Sequence, residues 1–431
     1  MKKIIFLSTL LLSVLCLYAQ SGSQNSLEYY IEHAIKSSPL INDYKNQQTV
    51  SAYEAQRLKA FYTQSKVEAN GNLLFVPIIS KDNGKTQFQL NPQNATDYYG
   101  YNQGVSSGSL QAGLTWTQPL FAGSSYKIAQ QQAQVTQDIS RNNIHLQTHE
   151  LQRLVTDQYI LCLLDKQRIA FADSLLTILN EQENVVRKLA QSALMKQSDY
   201  NLITIEKTGY EESKRSYEQD YQTHLLDLNI LCGIKDTAVI NLADIDLKIK
   251  NEIITNSSFL ESYKLDSLNL MARQAVSEIQ YKPRVNLFVD GGLRTNQYNS
   301  TTFKNMGMSA GVTFAWTIFD GKQRHITRNQ TKAELNTVAI NRDNFILQND
   351  LRKSQYLSEL KGYDERTGIL QKQLSSYYQV LGDYNKEIQK GQLSVINYIT
   401  VLKNRSQAVE NYYLLQANRL LLINAYNYYN W

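Results

Sequence analysis

The five prolines of this 431-residue chain are Pro39, Pro77, Pro92, Pro119 and Pro283, so none lies between 120 and 282 and none follows 283. A proline inside a helix removes a hydrogen bond and clashes with the preceding turn. Its absence over such lengths permits helices longer than a globular core can hold. Good helix formers, Gln, Glu, Lys, Leu and Ala, are abundant there. Apolar residues recur at helical spacing, as in Leu151, Leu154 and Val155 or Phe171, Leu175 and Ile178. The pattern predicts helices over about 126–190, 198–231, 322–389 and 394–430. The first would be on the order of 100 Å long at ~1.5 Å per residue. Such helices occur in coiled coils or hollow helical assemblies.

A second constraint is repetition. Residues 113–123 read "GLTWTQPLFAG" and residues 311–321 read "GVTFAWTIFDG", with a constant offset (311 − 113 = 198 and 321 − 123 = 198). The offset persists where "KQSDYNLIT" (196–204) falls over "SVINYITVL" (394–402), which places Asp199 over Asn397 and Tyr200 over Tyr398. An offset held this far implies a tandem duplication, not a short-period solenoid. The expected repeats are 21–233 and 234–431. Each carries a helix, a β-hairpin (about 66–119 and about 284–318), a long helix and a shorter one.

In the first hairpin, about 66–76 leads through a polar loop (79–106) to about 107–119; in the second, about 284–294 leads through 295–306 to about 307–318. The last strand alternates most clearly: Met308, Ala310, Val312, Phe314, Trp316 and Ile318 fall on one face, small or polar residues on the other. Leu110, Ala112, Leu114 and Trp116 oppose Gln111, Gly113, Thr115 and Thr117 in the same way. A soluble sheet would pack its apolar face on a core; a membrane barrel would turn it to lipid. The lengths match the ~9–11 residues that a tilted strand needs to cross a bilayer. Four strands cannot close a barrel and open edges cannot sit in lipid, so a membrane role requires several copies of the chain.

Residues 1–20 read as a secretory signal: Lys2 and Lys3, an apolar run from Ile4 to Tyr18, then Ala19 and Gln20. The run is shorter than the ~20 residues of a membrane-spanning helix. Leu15 stands where a lipobox wants a small residue, which argues against acylation of Cys16. Beyond the signal only Cys162 and Cys232 remain, which is no disulfide framework. The formal charge of +5 falls to +3 without Lys2 and Lys3 (5 − 2), too little for a nucleic-acid footprint.

The signal, the duplicated hairpin-plus-two-helices unit and the nearly proline-free helices together resemble the TolC-type outer-membrane efflux protein family over essentially the whole mature chain. The motifs that carry the resemblance are "QPLFAG" (118–123), "TIFDG" (317–321), "SALMKQSDYNLI" (192–203), "KGQLSVINYITVL" (390–402) and "SLEYYIEHAIKSSPLINDY" (26–44). The resemblance implies an α+β membrane protein, a homotrimer in which each chain gives four strands to a twelve-stranded β-barrel in the outer membrane. A long α-helical barrel would continue it across the periplasm. It implies a passive conduit of a tripartite efflux or type I secretion system, working with a periplasmic adaptor and an inner-membrane transporter. Pro119, Phe121, Gly123, Phe319 and Gly321 would make the passage from barrel to helix, with Pro119 ending the sheet and Gly123 turning the backbone. Asp199, Tyr200, Asn397 and Thr400 would line or latch the periplasmic constriction. The family's best-studied members carry acids at the positions of Asn397 and Thr400, so a carboxylate ring is weakened here. Leu194, Met195, Gly391 and Leu393, on apolar turns, would meet the adaptor, since exposed apolar surface often marks an interface. Ala193 stands where the first turn should match Gly391.

His145 and His149 share a helix face at a spacing that can hold a metal, but the sequence is not H-E-x-x-H and no third ligand lies near in sequence; solvated surface histidines are expected. No nucleotide-binding or hydrolase motif occurs, so neither an enzyme nor a cofactor is expected. The aromatic end "NAYNYYNW" reads as a helix end that packs. The rival reading is a soluble periplasmic coiled-coil scaffold.

Overall fold

A computed structural model describes residues 25–75, 78–82, 85–89, 97–99, 108–250, 257–295, 303–392 and 394–431. The signal reading at 1–20 lies outside the described residues. The chain is mostly helical with a four-stranded antiparallel sheet. Its elements are α1 (Leu27–Ser37), α2 (Pro39–Thr63), β1 (Lys66–Phe75), β2 (Ile78–Asp82), β3 (Lys85–Gln89), β4 (Asp97–Tyr99), β5 (Gly108–Leu120), α3 (Gly123–Gln191), α4 (Gln197–Cys232), α5 (Ser258–Ser277), β6 (Arg284–Thr295), β7 (Met306–Ala315), α6 (Gln323–Gln389) and α7 (Val395–Tyr429). The long helices begin and end within three residues of the expected places. No described helix is long and apolar enough to cross a membrane.

Two differences stand out among the strands. The polar stretch expected as a loop carries β2, β3 and β4, which form a separate three-stranded sheet in the order β3-β2-β4. They are five residues or fewer, too short for a period of two to declare itself. In addition, β7 stops at Ala315, three residues before the expected end. Its partner β6 starts at Arg284, paired with Ala315. Pro283, just before, has no N–H to extend a ladder, so residues 316–318 have nothing to pair with there.

The chain divides into two compact units. One comprises residues 46–140 and 263–339 and holds the four-stranded sheet, in the order β1-β5-β6-β7. The other comprises the described residues of 25–45, 141–262 and 340–431 and is helical, with a strap of residues 234–250. Its largest core joins α1 (Tyr30, Ala34), α3 (Val155, Tyr159, Cys162), α4 (Leu225, Leu228, Cys232) and Leu242 of the strap. The Ser26 hydroxyl caps α1, accepting from the Tyr29 N–H at 3.3 Å. The strap lacks regular structure, and side chains satisfy its backbone. Tyr221 Oη donates to Ile240 O, Lys166 Nζ to Leu242 O (2.8 Å), and Asn427 Nδ2 to Lys248 O (2.8 Å). Burial pushes the thiols of Cys162 and Cys232 up to about 12. Both are free and buried, so they serve as small core residues.

Candidate functional site

The four-stranded sheet has two unlike faces. Register sets Gln111 opposite Arg294 and Thr115 opposite Asp290, with Ser309 opposite Asp290 on the far side. These residues share one face. Arg294 donates to Gln111 Oε1 (3.1 Å), Asn70 Nδ2 to Thr115 Oγ1 (3.1 Å), and the Ser309 hydroxyl to the Asp290 carboxylate. The other face carries Val67, Leu73, Leu114, Val312 and Phe314, all exposed, and Met308, which is 81% exposed. The polar face is the crowded one. A β-carbon on Gly113 would lie 2.6 Å from the Gly291 carbonyl oxygen, and one on Gly311 would lie 2.8 Å from the Phe288 ring.

The passage from strand to helix differs from the sequence expectation. Pro119 does not end the pairing: it sits opposite Asn286, and Leu120 opposite Val285. The ladder to β1 is what ends first, at Thr117. Proline is tolerated because its missing N–H falls after the last β1 partner. Gly123 is not the turning residue but the first residue of α3. Phe121 takes the left-handed conformation instead, at φ 59°, with 90% of its surface exposed. In the second copy Gly321 and Lys322 are left-handed, at φ 69° and 71°. The Asp320 carboxylate accepts from the Arg324 N–H at 2.6 Å, so an acid caps the start of α6. Phe319, like Phe121, is exposed.

The helical turns at 191–197 and 389–395 meet in the helical unit. Val186 of α3, Ile203 of α4, and Val395 and Ile399 of α7 form one buried cluster, with Met195 and Tyr200 against it. Leu194 is 66% exposed, whereas Met195 packs on this cluster and on a second one containing Leu179, Ile388 and Tyr398. Gly391 is exposed and left-handed. Leu393 lies outside the described residues. The Asp199 carboxylate accepts from the Lys196 N–H at 3.4 Å and so caps its own helix. Tyr200 Oη donates to Glu183 Oε1 at 3.3 Å. Asn397 and Thr400 are exposed on α7, and Thr400 Oγ1 bonds back to Ile396 O (2.8 Å).

The charged network behind these turns escaped the sequence reading. Glu183 is buried and also accepts from Lys207 Nζ at 3.0 Å. The Lys207 hydrogen bond holds its carboxyl below the usual range. Lys403 of α7 pairs with Glu206 of α4 at 2.9 Å. The signal was present in phase: Glu183 follows Leu175 and Leu179 at helical spacing and precedes Val186, so an acid sits on the buried stripe.

His149 is not a solvated histidine. It is buried, stacks on Trp431 with ring centroids 3.9 Å apart and on Tyr428 at 4.9 Å, and its Nε2 lies 3.0 Å from Tyr428 O. Burial lowers its pKa. His145 is exposed. No group of three or more metal-ligating side chains occurs among the described residues.

No family model matches the chain, and no curated protein matches it by sequence. Solved structures do match. The outer membrane protein VceC of Vibrio cholerae superposes with a TM-score of 0.70 at 11% identity, covering 94% of this chain and 95% of that one. The Campylobacter jejuni CmeC outer membrane channel gives 0.67 at 11%, covering 94% and 85%. The open state of the Neisseria gonorrhoeae MtrE outer membrane channel gives 0.65 at 13%, covering 94% and 88%. The fold of this chain is that of the TolC-type outer-membrane channels.

Proposed function

We propose that the protein is an outer-membrane channel, a passive conduit from periplasm to exterior. The observation that carries this reading is the four-stranded sheet: a polar face laced by side-chain hydrogen bonds, an opposite apolar face left exposed, and β1 and β7 as its edge strands. In water an apolar face of this size would aggregate and the two edges would seek partners. In a bilayer the apolar face meets lipid, and the edges must be paired because nothing else there satisfies a backbone group. Copies of the chain joined β1 to β7 satisfy both demands. Three copies give twelve strands, and the polar faces then line a water-filled lumen.

The two tandem repeats, offset by 198 residues, each supply one strand pair, a long helix and a shorter one to this assembly. The helical turns near 191–197 and 389–395 form the periplasmic end. Asp199, Tyr200, Asn397 and Thr400 lie at the constriction, and Leu194 and Gly391 face a periplasmic adaptor that couples the channel to an inner-membrane transporter. VceC, CmeC and MtrE are described as an outer membrane protein and outer membrane channels, and the shared fold favours the same place for this one. Purified protein reconstituted into planar bilayers should give unitary conductance steps, and cross-linking in detergent should trap a trimer. A monomer that stays in solution without detergent and carries no current would refute the channel and favour a periplasmic scaffold.

A further inference from the structure

The antiparallel register brings one end of every strand in the sheet together. Lys66 opens β1 opposite Thr117 near the end of β5, and Arg284 opens β6 opposite Ala315, the end of β7. This is also the end at which the chain passes into α3 and α6. Basic residues gather there. Lys127 lies one turn into α3, Lys282 reaches Ser124 Oγ at 3.5 Å, and Lys322 sits in the left-handed turn before α6. Lys127, Arg284 and Lys322 are exposed.

The acids at this end are engaged by neighbours. Glu278 is shared by Arg324 (Nε at 2.7 Å) and Arg328 (Nε at 2.7 Å), and Glu68 pairs with Lys66. Asp320 accepts from the Arg324 backbone. The exposed surplus is therefore positive. Three large aromatics, Phe121, Trp316 and Phe319, are exposed at the same rim. Aromatic rings interleaved with bases suit the boundary between hydrocarbon and headgroups, and exposed bases there draw anionic lipid.

From this juxtaposition we infer that the helix-proximal rim of the sheet is a docking surface for anionic glycerophospholipid headgroups of the leaflet it crosses. The inference rests on the membrane reading above. The rings set the depth at which the strands sit. The guanidinium of Arg284 and the ammonium groups of Lys127 and Lys322 then meet the phosphate layer. At the far end of the sheet, where β6 ends at Thr295 and β7 begins at Met306, the described residues hold two bases, Arg294, which is engaged by Gln111, and Lys304, beside one exposed ring, Phe303.

The test uses the intact protein in a neutral detergent. Phosphatidylglycerol and phosphatidylcholine of identical acyl chains are added in parallel, with inorganic phosphate as a third arm, and lipid retention is counted by native mass spectrometry. Phosphatidylglycerol should be retained about tenfold more tightly than phosphatidylcholine, given the pull of several bases on an anionic surface. The preference should fall towards unity in the triple variant Lys127→Gln, Arg284→Gln, Lys322→Asn, in which Asn tolerates the left-handed turn. It should survive Lys304→Gln, a base at the far end of the sheet. Equal retention of the two lipids by the unaltered protein overturns the inference, as does saturation of the effect by inorganic phosphate alone. Because insertion and conductance are scored separately in neutral vesicles, a protein that inserts without lipid preference defeats only this inference. One that fails to insert at all defeats the channel.

Discussion

Ala193 and Gly391, 198 residues apart (391 − 193), adopt the same left-handed backbone, at φ 56° and 69°. The hydrogen bonds around them match too. Ala193 N–H donates to Ala190 O and Leu194 N–H to Leu189 O; Gly391 N–H donates to Ile388 O and Gln392 N–H to Glu387 O. Both are Schellman endings, in which glycine is the usual left-handed residue. An alanine there bears strain of roughly 1–2 kcal/mol, partly offset because glycine is more disordered when unfolded. Ala193→Gly should therefore stabilise the protein by about 0.5–1 kcal/mol, and Gly391→Ala should destabilise it by a similar amount. Nothing lies within 4 Å of a β-carbon at Gly391, so the cost there is backbone conformation alone. Opposite shifts of the thermal midpoint in the two variants are the expected result. Shifts of the same sign would reject the argument.

Gly113 and Gly292 pair directly across β5 and β6. A β-carbon on either would press into the backbone of the facing strand. Backbone cannot move aside without opening the ladder, so Gly113→Val or Gly292→Val should prevent assembly of the folded protein. Gly311→Ala meets only the Phe288 ring, which can rotate, and its cost should stay within about 1–3 kcal/mol, the usual range for overpacking. The yield of folded protein in mild detergent, and the temperature at which it unfolds, separate the two cases. Equal yields for Gly113→Val and Gly311→Ala would be incompatible with this account.

The long helices were legible because helix propensity, apolar period and missing prolines all point the same way over tens of residues. The strands β5 and β7 were legible from alternation, but the end of β7 was not, because it depends on where Pro283 lets β6 begin. Gly123 looked like the turning residue because glycine carries no penalty for a left-handed turn. The structure puts that conformation on Phe121 instead, and no local signal distinguishes the two positions. His149 looked solvated because its apolar surroundings come from Tyr428 and Trp431 at the other end of the sequence. Glu183 was readable in principle from its phase, yet an acid on an apolar stripe declares burial and not its partner. Lys207 is supplied by the neighbouring helix.

Leu194 and Met195 are adjacent but have different environments. Leu194 is exposed at the turn, whereas Met195 packs against two buried clusters. Leu194→Asp should leave the thermal midpoint in place while weakening adaptor capture and export. Met195→Ala should cost about 1–2 kcal/mol, less than for a fully buried methionine. Pull-down with the cognate adaptor alongside a melting curve resolves them. Intact capture by Leu194→Asp would remove that residue from the proposed contact.

Acid should destabilise the protein in two separable steps. His149 is buried and its pKa is lowered from 6.5, chiefly by desolvation. The unfolded chain therefore binds a proton that the folded chain resists, and stability falls as the pH drops below about 6.5 until the folded-state pKa is reached. Glu183 carries the opposite charge but gives the same direction. Its carboxyl is held below 4.5, first by the Lys207 hydrogen bond. The stability it contributes is fully present above about pH 4.5 and is lost as the pH falls through the lowered folded value. His149→Phe keeps the stacking with Trp431 and Tyr428 and removes the titrating group. It should flatten the stability profile just below pH 6.5 and leave the deeper acid transition intact. Glu183→Gln should do the reverse. It should also cost roughly 1–3 kcal/mol at neutral pH, because Lys207 loses a charged acceptor. Urea unfolding of the two variants at pH 7.5, 5.5 and 4.0 provides the comparison. If His149→Phe keeps the full loss between pH 7.5 and 5.5, another group is responsible for the first step.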